Sequence, residues 1–218
     1  MGGGDFGGAL WLVAAFDSAL FIAFGAAFFR PHGRRDWRAM GAYSAFVVAL
    51  FSEMYGFPLT IFILSGWLGD AVPAIVPTHA GGHLLNDLVG WSGDPHLSPF
   101  HIASYLLMGS GFLVLSRAWP VLWRAQRTGE LAVRGPYARV RHPQYSGFML
   151  VMIAFLLQWP TLVTLLMFPV LVVAYRRLAK GEEREVERQF GAAYADYASV
   201  TPRFVPRLRR PRASAVAR

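Results

Sequence analysis

The chain contains no cysteine, which excludes disulfide frameworks, thiolate nucleophiles and Cys-ligated zinc or iron–sulfur centres. Lysine is almost missing too: Lys180 is the one lysine among 21 basic residues. Charge is scarce, at 16% of 218 residues, against roughly 25% in ordinary soluble domains. What fills the space is apolar, 55% hydrophobic and 15% aromatic. Such a chain is not disordered, and a soluble domain could not easily hide so much apolar surface. The length suits one domain or two small ones, and no internal repeat is visible. The formal net charge of +8 leaves a choice between nucleic acid and membrane.

The distribution of arginine decides that choice. Four lie close together (Arg30, Arg34, Arg35, Arg38), none lies between Ala39 and Ser116, and the remaining basic residues run from Arg117 to Arg218. Long apolar runs separate these blocks, and a spanning helix needs about 20 apolar residues. The pattern predicts about five transmembrane helices, near 9–29, 40–64, 100–118, 144–159 and 160–179. The last two form a hairpin, with Pro160 expected at the first position of its second helix. The positive-inside rule puts the basic loop 30–39, the segment 117–143 and everything after Lys180 in the cytoplasm. It puts the N-terminus and the loop 65–99, with Asp70, Asp87 and Asp94, outside. The first run is not a signal peptide, because its positive charge follows the apolar stretch. Arginines that flank spans are explained by topology and anionic headgroups, so no nucleic-acid partner is expected. The expectation is an all-α integral membrane protein. It divides into two spans plus an outer loop (1–99), a core (100–206) and a disordered basic tail (207–218).

Residues 134–147, RGPYARVRHPQYSG, hold two Gly, two Pro and two Tyr, which argues against a regular helix there. Pro143 biases His142 away from the αR region, and Gly147 permits close approach. A rigid ligand-binding lip and a plain interfacial loop are equally compatible with that composition. Further on, Val186, Phe190, Ala193, Tyr194 and Tyr197 follow a 3.6-residue period, predicting an amphipathic helix with Glu182 and Glu183 in its first turn.

Taken in order, Gly135–Tyr137, Arg141–Gly147, Glu182–Glu183 and Phe190–Tyr197 resemble the isoprenylcysteine carboxyl methyltransferase and phospholipid methyltransferase superfamily. Its members are small integral-membrane enzymes that use S-adenosylmethionine. The resemblance covers roughly residues 100–206. Gly109-Ser110-Gly111 is similar to a cofactor-holding Gly-x-Gly of the phospholipid branch. The resemblance implies a cofactor site built from Gly109, Gly111, Gly135, Tyr137, Arg139, His142, Pro143, Tyr145, Gly147, Glu182, Glu183 and Tyr194, capped by the C-terminal helix. Glu182 or Glu183 would meet the cofactor's ammonium, and Arg139, Arg141 or His142 its carboxylate. Tyr137, Tyr145 and Tyr194 would flank adenine. His142, Arg141 and Tyr145 are the catalytic candidates, with His142 a base only where the acceptor must lose a proton.

Asp17 and Glu53 fall inside the first two spans, where a carboxylate is costly and defaults to function. They are expected to line the acceptor pocket; an interhelical hydrogen bond, with Ser52 or Tyr55 nearby, is the structural alternative. His79, His83 and Asp87 have i, i+4, i+8 spacing, but Gly81-Gly82 weakens any helix that would align them. A short interfacial helix is expected there and no metal. The function implied is methyl transfer to a lipophilic or membrane-associated acceptor: an isoprenylcysteine-type carboxylate, a lipid amine or a small thiol. An NADPH-dependent reductase of the sterol-reductase type is the alternative, disfavoured by Phe148 where that pattern has Glu. A non-catalytic scaffold is the third reading. The preference for arginine over lysine suggests a GC-rich genome, hence a bacterial inner membrane with the site facing the cytoplasm.

Overall fold

The computed structural model describes residues 5–28, 34–68 and 83–207, and every regular element among them is helical. Helix α1 (Asp5–Phe28) is followed by α2 (Arg34–Phe51), a π-helical turn (Ser52–Gly56) and α3 (Leu59–Leu68). A short α4 (Leu84–Leu88) and a 3₁₀ turn (Pro95–Leu97) lead into α5 (Pro99–Thr128). A second 3₁₀ turn (Gly135–Ala138) precedes α6 (Pro143–Gln158), α7 (Leu162–Phe190) and α8 (Ala192–Val200). Among the described residues, three helices are long and apolar enough to cross a membrane: Leu10–Phe28, Pro99–Thr128 and Leu162–Phe190. Helix α6 is apolar but shorter. Residues Asp70 and His79, and the tail beyond Arg207, lie outside the described residues.

Several expected boundaries are corrected. The run 40–64 is not one helix. Pro58 has no N–H to donate, and the chain leaves the helix after Gly56, with Phe57 extended, before α3 starts again. The third span continues well past residue 118, to Thr128, where Gly129 in the left-handed region (φ 67°) caps it. Pro160 does not open α7: Thr161 is the N-cap, joined to Thr164 in a capping box, so the proline precedes the cap. Residues 134–147 are irregular only in their first half, because Pro143 at N1 starts α6 directly after His142. The amphipathic helix 186–197 is two pieces. Helix α7 carries straight on through Lys180 to Phe190, and Gly191, at φ 52°, turns the chain into α8. Glu182 and Glu183 therefore sit far from any helix N-terminus, and dipole stabilisation does not explain them.

Helix α5 packs most extensively on α6, while α2 lies between α1 and α7. The α5–α6 crossing depends on two glycines. A Cβ on Gly111 would lie 2.9 Å from the Gly147 carbonyl oxygen, and one on Gly147 would lie 2.7 Å from Leu115 Cγ. Small residues let helix backbones approach, which replaces the missing hydrophobic drive inside a bilayer. Beside this crossing lies an aromatic core. Tyr145 stacks on Tyr175 with ring centroids 5.2 Å apart, and Tyr43 meets Phe148 at 4.7 Å. These four side chains are fully buried, so α2, α6 and α7 are held as one body directly beneath the site.

The segment from His83 to Ser98 folds onto the turn between α6 and α7. The short α4 forms where an interfacial helix was expected, and the His83 ring sits 4.8 Å from that of Trp159. His83, His96 and His101 pack together with centroids 4.9–5.4 Å apart. Among the described residues no group of three His, Cys, Asp or Glu side chains is arranged to hold a metal.

Candidate functional site

The site grows from the turn between α5 and α6. Pro143 keeps His142 out of the αR region (φ −126°, ψ 65°), and the backbone N–H groups of Arg141 and His142 pair outside the helices. Arg141 N–H donates to the Pro202 carbonyl at 2.8 Å, and His142 N–H to that of Arg203 at 3.0 Å. Ser146 Oγ adds a bond to the Phe204 carbonyl at 2.8 Å. The segment after α8 is thus pinned across the front of α6. The Gly191 break permits this, because it reverses α8 against α7.

Two neighbouring carboxylates of α7 organise the polar side chains. Glu183 Oε1 accepts from Arg141 Nε at 3.0 Å, from Arg203 Nε at 2.8 Å and from His142 Nε2 at 3.1 Å. Its Oε2 accepts from Arg203 Nη2, which makes the arginine bidentate. A carboxylate offers about four lone-pair sites, so Glu183 is saturated. Arg141 is equally committed: its Nη1 also donates to the carbonyls of Ala198 (2.7 Å) and Thr201 (2.8 Å). Glu182 differs. It accepts from the Tyr145 hydroxyl and faces His142 Nδ1 at 3.2 Å, which leaves it acceptor capacity toward the cavity.

His142 therefore has a carboxylate at each ring nitrogen while being only 5% exposed. Burial disfavours its charged form, but the hydrogen bonds it donates to the Glu182 and Glu183 carboxylates outweigh burial and raise its pKa above 6.5. A histidine whose folded pKa is raised contributes stability that is complete below its unfolded value. That contribution is lost as pH rises through the raised value. Thermal unfolding followed from pH 6 to 9 should show stability falling through that window, with His142→Gln flattening the profile. An equally steep profile in the variant would remove His142 as its cause.

These groups form one wall of a cavity of about 700 Å³. Tyr137, Arg141, His142, Glu182, Glu183 and Tyr194 all line it. Tyr137 is buried, its hydroxyl donates to Gln144 Oε1 at 3.0 Å, and its carbonyl accepts from the Tyr197 hydroxyl at 2.7 Å. The remaining expected site residues stand elsewhere. Tyr145 is fully buried behind Glu182, and Pro143 is buried at the start of α6. Gly111 and Gly147 serve the helix crossing, and Gly109 is exposed, with open space where a side chain would begin. Gly135 takes a positive φ of 60° at the 3₁₀ turn, and Arg139 is exposed off the cavity. Asp17 and Glu53 do not line the cavity either. Glu53 is buried and accepts from the Thr60 backbone N–H at 3.0 Å, while Thr60 Oγ1 accepts from Leu162 N–H at 2.8 Å. It thereby ties the restart at α3 to the start of α7.

The cavity also has walls the motifs did not mark. Arg34, Arg35 and Asp36 reach it from the start of α2, and Trp119, Leu122 and Gln126 from α5. Arg35 lies flat on α7 because Gly181 has no side chain to obstruct it, and it pairs with Glu185 at 2.7 Å. Those arginines carried a signal only as topology markers. Gln144 stood within the stretch 134–147 without a chemical pattern of its own, and Arg203 lay beyond the motifs.

Comparison with known proteins bears on one stretch of the chain. Residues 98–187 match the model of the isoprenylcysteine carboxyl methyltransferase (ICMT) family, the family the sequence resembles. The match begins just before α5 and ends within α7, so it takes in Arg141, His142, Glu182 and Glu183. No curated protein and no solved structure matches the chain. Over that stretch, which takes in the long apolar helix α5 and most of α7, the chain is similar to that family.

Proposed function

We propose that this chain, proceeding from its ICMT-family region, transfers a methyl group from S-adenosylmethionine to a lipophilic acceptor at the membrane surface. The observation that carries this is the cavity of about 700 Å³ that joins Glu182 to Arg141, His142, Tyr137 and Tyr194. Its donor set fits a zwitterion carrying an aromatic base. When bound, S-adenosylmethionine supplies an electrophilic methyl on a sulfonium. Glu182 holds the ammonium, because it is the carboxylate with lone pairs to spare. His142, whose pKa its two carboxylates raise, stands beside Arg141 on the part of the wall that would meet the carboxylate end. Glu183 acts at one remove, fixing Arg141 and His142 so that little reorganisation accompanies binding. Tyr137, Tyr194 and Tyr197 supply flat surfaces for the base.

His142 does not act as a free base in this arrangement, since both nitrogens face carboxylates. Methyl transfer asks chiefly for alignment and exclusion of water, which a rigid wall supplies. The reading keeps five spans, counting α2–α3 and the shorter α6, with the N-terminus outside, the C-terminus and site in the cytoplasm, and a bacterial inner membrane as host. It keeps the division into an outer half (1–99), a catalytic core (100–206) and a tail (207–218). Acceptor choice then falls to the first half of the chain, with Arg34 and Arg35 at the cavity wall better placed than Asp17 or Glu53.

Calorimetric titration of the detergent-purified protein with S-adenosylhomocysteine should show binding, and NADPH should show none. Glu182→Gln should weaken that binding on the order of tenfold to a hundredfold, as expected for a charge-assisted hydrogen bond worth about 1.5–3 kcal/mol. Absence of binding in the unaltered protein would overturn the methyltransferase reading. Unchanged affinity in the variant would move the ammonium elsewhere.

A further inference from the structure

A second pocket, of about 420 Å³, lies behind the first at the junction of α7 and α8. It shares Arg141, Glu183 and Tyr194 with the larger cavity and adds Lys180, Arg184, Glu187, Ala198 and Arg203. Four cationic side chains, Arg141, Lys180, Arg184 and Arg203, face two carboxylates, Glu183 and Glu187. Arg141 and Arg203 are held in place by Glu183, so they form a fixed positive back wall. Lys180 and Arg184 are different. They stand on successive turns of α7, and among the described residues neither has a carboxylate within ion-pair distance. Arg184 Nε donates to the Lys180 carbonyl at 3.2 Å, which folds its guanidinium over Lys180 and leaves its outer nitrogens for a ligand. Their position is equally specific. The charge-free run of α7 ends at Tyr175, and Lys180 follows within about one and a half turns. Such residues lie at the depth of lipid headgroups.

We infer that this pocket binds a phosphate oxyanion at the membrane surface, of the kind carried by anionic phospholipid headgroups. Two exposed, unpaired cations over a fixed positive wall suit an anion with several acceptor oxygens, and Arg184 can take two of them in a fork. Occupancy would also press on the wall shared with the larger cavity, so membrane charge and ligand binding are linked through Arg141 and Glu183. The site itself does not rest on the methyltransferase reading.

The test uses the full chain in neutral detergent at constant ionic strength, with thermal unfolding as the readout. Dihexanoyl phosphatidic acid should raise the unfolding midpoint in a saturable way, and dihexanoyl phosphatidylcholine should do so far less. Inorganic phosphate is the third arm. A response to phosphatidic acid alone assigns a lipid phosphate, and equal responses assign free phosphate; either supports the site. The double variant Lys180→Gln/Arg184→Gln should lose at least tenfold in apparent affinity. Lys180→Arg/Arg184→Lys, which keeps both charges, should retain the response and shows that the positions tolerate change. No rise with either phosphate, or an unaltered rise in the Gln/Gln variant, would overturn the inference.

Discussion

Glu183→Ala should destabilise the folded protein by about 3 kcal/mol or more, because it removes the anion that three cations share. Arg141 and His142 are nearly buried, with side chains 14% and 6% exposed, so neither can recover full hydration. His142 would keep only Glu182, and Arg203 would lose a bidentate partner. Glu183→Gln retains volume and acceptor geometry but not charge, and should fall between Glu183→Ala and the unaltered protein. Urea or thermal unfolding in detergent measures both. If Glu183→Ala unfolds like the unaltered protein, the clamp is not what holds the C-terminal segment to α6. Loss of cofactor affinity in this variant would then have to be read separately from stability, which Glu182→Gln allows.

The second large effect is expected at the α5–α6 crossing. Gly111→Ala and Gly147→Ala should each cost about 1–3 kcal/mol through overpacking, and Gly147→Val more. At Gly111 the obstacle is the backbone carbonyl of Gly147 at 2.9 Å, which no rotamer change can relieve. At Gly147 it is Leu115, itself 1% exposed and without room to swing away. Gly109→Ala is the internal contrast. Nothing lies near its Cβ position, so it should be neutral or gain about 0.5–1 kcal/mol from helix propensity. Equal effects at the two positions would mean that the close approach at Gly111 does not set the cost.

That contrast shows where the sequence was readable. The Gly-Ser-Gly string looks symmetrical as text, yet one glycine faces a helix and the other open space, a distinction only tertiary packing makes. Arg141, His142, Glu182 and Glu183 were legible because their types and order match a chemistry, and the fold does bring them together. The reason for Glu182 and Glu183 was not legible. The apolar run 162–179 and the charged stretch after it differ sharply in composition, so the text reads as two elements where the structure has a single α7. The true stop, Gly191, sits among residues whose spacing continues the same period. Arg203 was beyond reach for a related reason: its partner lies 20 residues earlier and meets it only after the chain reverses. Likewise Arg34 and Arg35 read as topology markers, because their place on the cavity wall depends on how α2 lies against α7. Long helices and motif chemistry thus survive in the text, while helix breaks and returns depend on contacts distant in sequence.

The pairing of residues 141–142 with 202–203 also has a consequence for biosynthesis. Arg141 leaves the ribosome 42 residues before Glu183 and 60 before Thr201. Throughout that interval its guanidinium lacks the carboxylate and carbonyls that later enclose it. A bare arginine is costly in hydrocarbon, so on the proposed five-span topology this stretch waits in water while α6 and α7 enter the bilayer. On that topology, membrane integration of the hairpin and closure of the cavity would be successive events, with the pocket maturing only after the translocon has finished with α7.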